Sequence, residues 1–399
     1  MPVQQRASID IEKYVSIDGG ATWSDPVAVA AEATPDVALD KCTITADPVR
    51  PGQVYAVWDR LAGLGGPLAQ QTGPAFLARS TDGGATFTEI NAPHGSSERE
   101  EAQKRVAAFE RQLDSVQAAG TKLVWTMHNV LPHESVFEDL EVRIRESIVG
   151  RADMVHIMNP DSIEMAGPYF DLPASKVVRV EHPGYQGYYP QWMSRAAARQ
   201  HFGFTPGEQV LLVLGAIKPY KGLLELAHTI DEFTREHPRK ATLLIAGSAG
   251  EDAGTRELLD IADIHPAIHV LPERMLSEDV GLLFAAADVA VVPYKASLNS
   301  GALVLALSMG KPVLARSTAG STHLLQGGAG IVYDDDHRLM HALLDTGWHA
   351  SASAAAADMA RRLRPQHVSD VFGRVSRAFV DHGVLAAQAV AGPDGGLDA

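Results

Sequence analysis

The sequence predicts an α/β chain with parallel sheets, preceded by a short all-β segment. Three observations predict it. From residue 97 to 382, strand-like apolar runs alternate with helical patterns over short connections, the text of a doubly wound parallel sheet. Before residue 92 the apolar runs are short and split by Gly, Pro and Asp, as in KYVSI, DKCTITA, QVYAVWDR and AFLARS. An octad also occurs twice there: Ser16-Ile17-Asp18-Gly19-Gly20-Ala21-Thr22-Trp23 and Ser80-Thr81-Asp82-Gly83-Gly84-Ala85-Thr86-Phe87.

In each octad an Asp and two glycines separate β runs, which suits a tight hairpin turn. The glycines accept positive φ, and the Asp and Thr side chains can bond back to the turn. The junction INAPHGSSEREEAQKRV follows. Ser97 is the expected N-cap of a charged helix with Glu98, Glu100 and Glu101 in its first turn. LVWTM (123–127) is a strand leading to His128, Asn129, Pro132, His133 and Glu134, then a helix at about 136–149. DMVHIM (153–158) and KVVRVE (176–181) are strands, the second running into His182-Pro183-Gly184-Tyr185. A polar helix near 194–202 closes this part.

A second set begins with QVLLVLG (209–215), the loop Ala216-Ile217-Lys218-Pro219-Tyr220-Lys221-Gly222 and a helix carrying Leu223, Leu224, Leu226 and Ala227. ATLLIAG (241–247), IHVLPER (268–274), DVAVVPY (288–294), KPVLAR (311–316) and AGIVYD (329–334) are further strands. The loop KASLNSG feeds the helix ALVLALSMG. Asp334, Asp335 and Asp336 read as helix capping and dipole pairing, and no metal site is expected.

Composition sets outer bounds. With 34 Lys plus Arg and 49 Asp plus Glu the net charge is 34 − 49 = −15, which argues against nucleic acid as a partner of the whole surface. One cysteine, Cys42, excludes an internal disulfide framework and a multi-cysteine metal site. No run approaches a membrane span, and the first residues lack the apolar core of a signal peptide, so a cytoplasmic location is expected.

Two resemblances follow from the quoted motifs. The octads resemble the Asp-box, or BNR repeat, of sialidase-like β-propellers. There the motif staples the fold, and one blade cannot supply a sialidase site, so a hydrolase is disfavoured. Residues 97–382 resemble a retaining GT-B glycosyltransferase of family 4 type. The resemblance rests on Trp125-Thr126-Met127-His128-Asn129 with Pro132-His133-Glu134, on Gly215 to Gly222, and on Pro293-Tyr294 with Ser300-Gly301.

The resemblance implies a GT-B-like twin Rossmann architecture. Its N-terminal half is truncated here, because Asp-box sequence, whether fused or joined from another fragment, stands where further βα units ordinarily precede the "HN" strand. The domains expected are an Asp-box β segment (1–92), a partial acceptor-side Rossmann domain (97–203), a donor domain (204–350), C-terminal helices (351–382) and a disordered tail (383–399).

The implied reaction moves a sugar from a nucleotide-diphospho-sugar, a co-substrate rather than a cofactor, to a saccharide or lipid-linked acceptor. A lipid-linked acceptor would entail peripheral membrane contact. Lys218 and Lys221 are the candidates for the diphosphate, with Lys221 an exposed loop residue aimed into the cleft. His128 is the candidate donor to the leaving group. Gly215, Ser297, Ser300 and Gly301 are candidate donor-binding residues, Ser300 also serving as a natural N-cap. His133 and Glu134 are expected to orient their loop. Two departures bear on donor recognition. Ala216 stands where an Arg is common, and Ser297 and Leu305 stand where the family motif has two glutamates. The alternative is a non-catalytic nucleotide- or carbohydrate-binding fusion.

Overall fold

The computed structural model describes six backbone strands before residue 92 and residues 99–132, 135–205, 207–237 and 240–392. The strands are β1 (Ile9–Lys13), β2 (Val27–Glu32), β3 (Val37–Ala46), β4 (Val54–Ala62), β5 (Ala75–Ser80) and β6 (Thr88–Asn91). β1 pairs with β2, and β3-β4-β5-β6 form a meander, all antiparallel. The Asp-Gly-Gly turns at 18–20 and 82–84, His133 and Glu134 lie outside the described residues.

Packing divides the chain into two compact units: Met1–Trp125, Glu134–Asp153 and Phe379–Gly383 in one, Thr126–His133, Met154–Ala378 and Val384–Ala399 in the other. These limits fall elsewhere than the expected boundaries at 92–97 and 203–204. In the first unit, α1 (Arg99–Ala118) and α2 (Glu138–Arg151) explain the difference. Val106 packs with Leu140 and Ile144, and both helices therefore belong to one body. Arg143 clamps Glu110 through Nε (2.9 Å) and Nη2 (2.6 Å), and Arg151 reaches Asp114 at 2.7 Å.

The second unit holds a larger parallel sheet and most of a smaller one, in which β8 and β9 run parallel. The smaller is ordered β7-β8-β9, with β7 (Val124–Met127) ending in this unit, β8 (Met154–Ile157) and β9 (Val177–Arg179). The larger comprises β10 (Gln209–Leu214), β11 (Ala241–Ala246), β12 (Ile268–Leu271), β13 (Val289–Val292), β14 (Val313–Arg316) and β15 (Gly330–Tyr333). Its order is β12-β11-β10-β13-β14-β15. Counted from β10, that is 3-2-1-4-5-6, the doubly wound nucleotide-binding order.

Burial of both sheet faces accounts for the near-continuous apolar strands. Side chains alternate along β10: Leu211 and Val213 join one core, Val210 and Leu212 the other. α5 (Leu223–Glu236) repeats apolar residues at 223, 226, 227, 230 and 233, and this stripe covers the first face. α8 (Gly301–Ser308) is apolar all round, and its residues 303–307 are buried on the opposite face. α7 (Ser277–Ala286) lies on the same face as α8, and α10 (Asp336–Leu344) on the face of α5. Asp335 caps α10 by accepting from the Arg338 amide at 2.7 Å.

The C-terminal segment is corrected. Instead of a disordered tail from 383, a helix, α13, spans Val384–Ala391. It forms because Ala387 and Ala391 are buried, while Gln388 Nε2 donates to the carbonyls of Ala174 (2.8 Å) and Val177 (2.7 Å) beside β9.

A buried ion pair anchors the start of the switch strands. Asp288, just before β13, accepts from the Val210 amide (2.8 Å), from Arg199 Nη1 (2.9 Å) and from Arg195. Arg199 lies on α4 (Arg195–His201), its side chain 4% exposed. Burial works to raise the Asp288 pKa, but the Val210 amide and the two guanidiniums outweigh it, and the pKa is lowered. Its stabilising effect is therefore complete above the ordinary carboxylate pKa of about 4 and is lost as pH falls through the lowered value. We expect Asp288→Ala to cost about 3–5 kcal/mol at neutral pH by stranding Arg199. Urea melts at neutral pH and at about pH 3 check this, and the cost should shrink in acid.

Candidate active site

The larger sheet builds a crevice where β10 and β13 lie side by side. The chain leaves β10 for α5 on one face and leaves β13 for α8 on the other. Loops that part in this way open a cleft at the carboxyl ends of the strands. The two loops also touch. Gly222 has φ +70°, and a Cβ there would stand 2.6 Å from the Pro293 carbonyl oxygen. Both the left-handed backbone and the approach of the β13 loop require glycine.

Lys221 ends a 3-10 turn, Pro219–Lys221, whose amide donates to the Lys218 carbonyl at 3.0 Å. The turn folds the lysine inward. It is buried, 9% exposed, which corrects the expectation of an exposed loop residue. Its Nζ lies 5.2 Å from the Tyr294 ring centroid and 3.1 Å from where a Cβ on Gly215 would stand. Gly215 thus provides the space for the ammonium. Burial, reinforced by the charge of Lys218, lowers the Lys221 pKa to about 8. Among the described residues no carboxylate pairs with it. The neighbouring cation Lys295 is paired with Glu225.

The loop after β13 carries Ser297, Ser300 and Gly301. Its position is fixed by three hydrogen bonds: Gly320 N–H to Ser297 O (3.1 Å), Asn159 Nδ2 to Leu298 O (2.9 Å) and Asn299 Nδ2 to His128 O (2.6 Å). The last brings the His128 backbone to this loop, with the residue itself exposed. Ser300 is 5% exposed, and its Oγ accepts from the Leu303 amide at 3.2 Å, capping α8. Gly301 faces the Tyr185 hydroxyl, 3.1 Å from a Cβ built on it. Leu305 is buried in the core beneath α8, so apolar packing is what its position requires.

The site residues therefore fall into two groups, Gly215 with Lys218 and Lys221, and His128 with Ser297, Ser300 and Gly301. The segment from Pro293 to Ser300 links them.

Beside the second group lies a small pocket of about 10 Å³, the room of one water molecule, that sequence reasoning had not found, lined among others by Glu181, His182, Asn299, Ser300 and His323. Glu181 follows β9 and is 4% exposed. His323, on α9 (Ala319–Leu325), donates from Nε2 to Glu181 Oε1 at 3.1 Å. His182 Nδ1–H donates to the Pro183 carbonyl at 2.7 Å. Burial lowers the His182 pKa, against the opposing effects of that hydrogen bond and of Glu181, and the ring is neutral at pH 7. His156 is buried, and desolvation lowers its pKa to about 4. It donates from Nε2 to Val180 O (2.9 Å) and accepts from Thr126 Oγ1 (3.2 Å). The available signal was Glu181-His182 at the end of a βα strand, where such sheets place ligand-facing residues.

With this geometry in hand, known proteins give the class. The family described as "Glycosyl transferases group 1" matches residues 208–346. A "GDP-mannose:glycolipid 4-beta-D-mannosyltransferase" of Xanthomonas campestris pv. campestris is 27% identical over 264 residues, covering 64% of this chain and 68% of the relative. A "D-inositol 3-phosphate glycosyltransferase" of Nocardia farcinica is 30% identical over 145 residues, 35% of this chain and 32% of the relative. Among solved structures, Anabaena HepE in complex with UDP aligns with TM-score 0.58 and 19% identity over 68% of this chain and 77% of that one. Sucrose-phosphate synthase from Thermosynechococcus elongatus aligns with TM-score 0.57 and 15% identity over 71% and 80%.

The fold is α/β and GT-B-like, and residues 208–346 match the model of the group 1 glycosyltransferases. Family match and relatives together support a glycosyltransferase.

The loop contact gives a structural prediction. Gly222→Ala should cost about 1–3 kcal/mol, from left-handed strain and the clash with Pro293 O, and should displace the 218–221 turn. Thermal melting checks the first effect, and the fluorescence of Tyr220 and Tyr294 checks the second.

Proposed function

We propose that this glycosyltransferase moves a sugar from a nucleotide-diphospho-sugar to a saccharide or lipid-linked acceptor, with the diphosphate at the carboxyl ends of β10 and β13. The observation that carries this reading is Lys221. An ammonium held in a buried cleft without a carboxylate partner among the described residues is poised for an anion. The diphosphate gains negative charge as the glycosidic bond breaks, so a cation fixed beside it stabilises the transition state more than the ground state. Lys218 adds a second positive charge, and the amides at the start of α8 add donors. In this reading these groups do the work of a metal ion. His128 donates a hydrogen bond to the leaving group. The name of the Xanthomonas relative supports a sugar-nucleotide donor and a glycolipid acceptor as the class to test first. The antiparallel strands before residue 92 are read as an Asp-box β segment outside the transfer chemistry.

Retention of the anomeric configuration is the outcome implied by the family 4 resemblance. Inversion is the second reading, favoured by the β-linked product in the name of that relative, which a retaining enzyme would make only from a β-linked donor. Proton NMR of the product anomer, compared with the donor, decides between them.

Lys221→Ala should lower turnover about a hundredfold or more, the scale of losing one transition-state contact. Its melting temperature should fall little, because the desolvation penalty on the buried ammonium is lost together with its packing. Nucleoside diphosphate affinity, titrated in EDTA, should be full below pH about 8 and decline above it as Lys221 loses its proton. A flat profile through that range would remove Lys221 from the site.

A further inference from the structure

Lys221 carries its charge in a place that favours losing it. Both causes that act on its pKa, burial and the charge of Lys218, lower it, and among the described residues no carboxylate opposes them. What faces the ammonium is an aromatic ring. Nζ lies 5.2 Å from the centroid of Tyr294, within the roughly 6 Å over which a ring quadrupole attracts a cation. Lys221 and Tyr294 are each 9% exposed, and such an attraction is stronger away from water than at a surface. The two side chains also end at one place: the Tyr294 hydroxyl lies 3.8 Å, and the Lys221 Nζ 3.1 Å, from where a Cβ on Gly215 would stand.

The ring is held independently of the lysine. Tyr294 follows β13, joins the core that contains Val292 and Leu303, and meets Tyr220 edge to face at 6.4 Å. Burial, with Tyr220 adding to it, raises the Tyr294 pKa above that of an ordinary phenol. The ring is therefore uncharged at neutral pH and acts on the ammonium through its π face, not as an anion. The other charged groups around the turn leave that role to it. Lys218, on the same loop, opposes the ammonium. Lys295, on the β13 loop, approaches Gly222 but is paired with Glu225 of α5, a carboxylate on which Arg316 of β14 also acts.

We propose that Tyr294 is a positioning residue for the transfer reaction, its ring holding the Lys221 ammonium charged and fixed at the carboxyl end of β10. This deepens the glycosyltransferase reading and rests on it for the anion that the ammonium meets, a nucleoside diphosphate. A carboxylate in place of the ring would hold the lysine more strongly, but it would cancel the charge and repel the diphosphate. A neutral ring attracts the cation and leaves its charge and its N–H groups to the phosphate oxygens.

The test is a pH titration of the full chain by NMR, with lysines carbon-labelled at Cε, joined to calorimetric titration of GDP and UDP at about pH 6.5 and about pH 8. Lys221→Ala assigns the resonance. In wild type the ring should shift the Lys221 ε-methylene protons upfield. In Tyr294→Leu that shift should vanish, and the lysine should titrate about one pH unit lower. Nucleoside diphosphate affinity should then fall about fivefold at pH 8, where most of the lysine is neutral, and less than about twofold at pH 6.5. Tyr294→Phe keeps the ring and should recover both the titration and the affinity at pH 8. An equal loss at both pH values would mark Tyr294 as packing only and overturn the proposal. So would a lysine that titrates unchanged or higher in Tyr294→Leu, because the ring would then only bury it. No upfield shift in wild type overturns the proposal even if Tyr294→Leu fails to fold. If wild type binds neither nucleotide, the glycosyltransferase reading falls, and the NMR titration alone decides whether the ring holds the charge.

Discussion

The rest of the structure depends on the reversal of strand order between β10 and β13. These strands are adjacent and parallel, paired at Leu211 with Val289 and Leu212 with Ala290. The helices that follow them pack on opposite faces, α5 through Leu223, Leu226, Ile230 and Phe233, α8 through Leu303 to Leu307. No helix can cover the carboxyl end of both strands, so the fold leaves a cleft there. The Asp288–Arg199 pair fixes the opposite, amino end of β13. The contact of Gly222 with Pro293 sets how closely the two loops approach at the open end.

Within the second unit the charges divide by place. The loop after β10 presents buried positive charge on Lys221, with Lys218 beside it. The small pocket by the β13 loop presents the Glu181 carboxylate, held by His323. The buried His156 and the half-buried His182, their pKa values lowered by desolvation, are neutral and add no positive charge there at pH 7.

Much of the fold was legible because local sequence carries it. Apolar runs such as QVLLVLG and ATLLIAG have the pattern of buried parallel strands, and the stripe from Leu223 to Phe233 has helical period. Lys221 and Ser300 were legible as site candidates through their short loops at strand ends. What local pattern cannot encode is depth. The burial of Lys221 comes from a 3-10 turn and the ring of Tyr294, 73 positions further on, and its loop lysine neighbours gave no hint of it. Glu181 and His323 are 142 positions apart, on different elements, and become a pair only when α9 docks beside the end of β9. The helix α13 was missed because its alanines lack a strong amphipathic pattern. Its order comes from Gln388 reaching carbonyls near β9.

The central claim is that the carboxyl ends of β10 and β13 receive the nucleotide diphosphate. Hydrogen exchange followed by mass spectrometry, with and without saturating GDP or UDP, tests it most directly. Nucleotide bound in this cleft should slow exchange in the 215–222 loop and at the 299–303 start of α8 together, with the core strands unchanged. Nucleotide binding that protects neither segment, or protects amides only elsewhere in the chain, would contradict it.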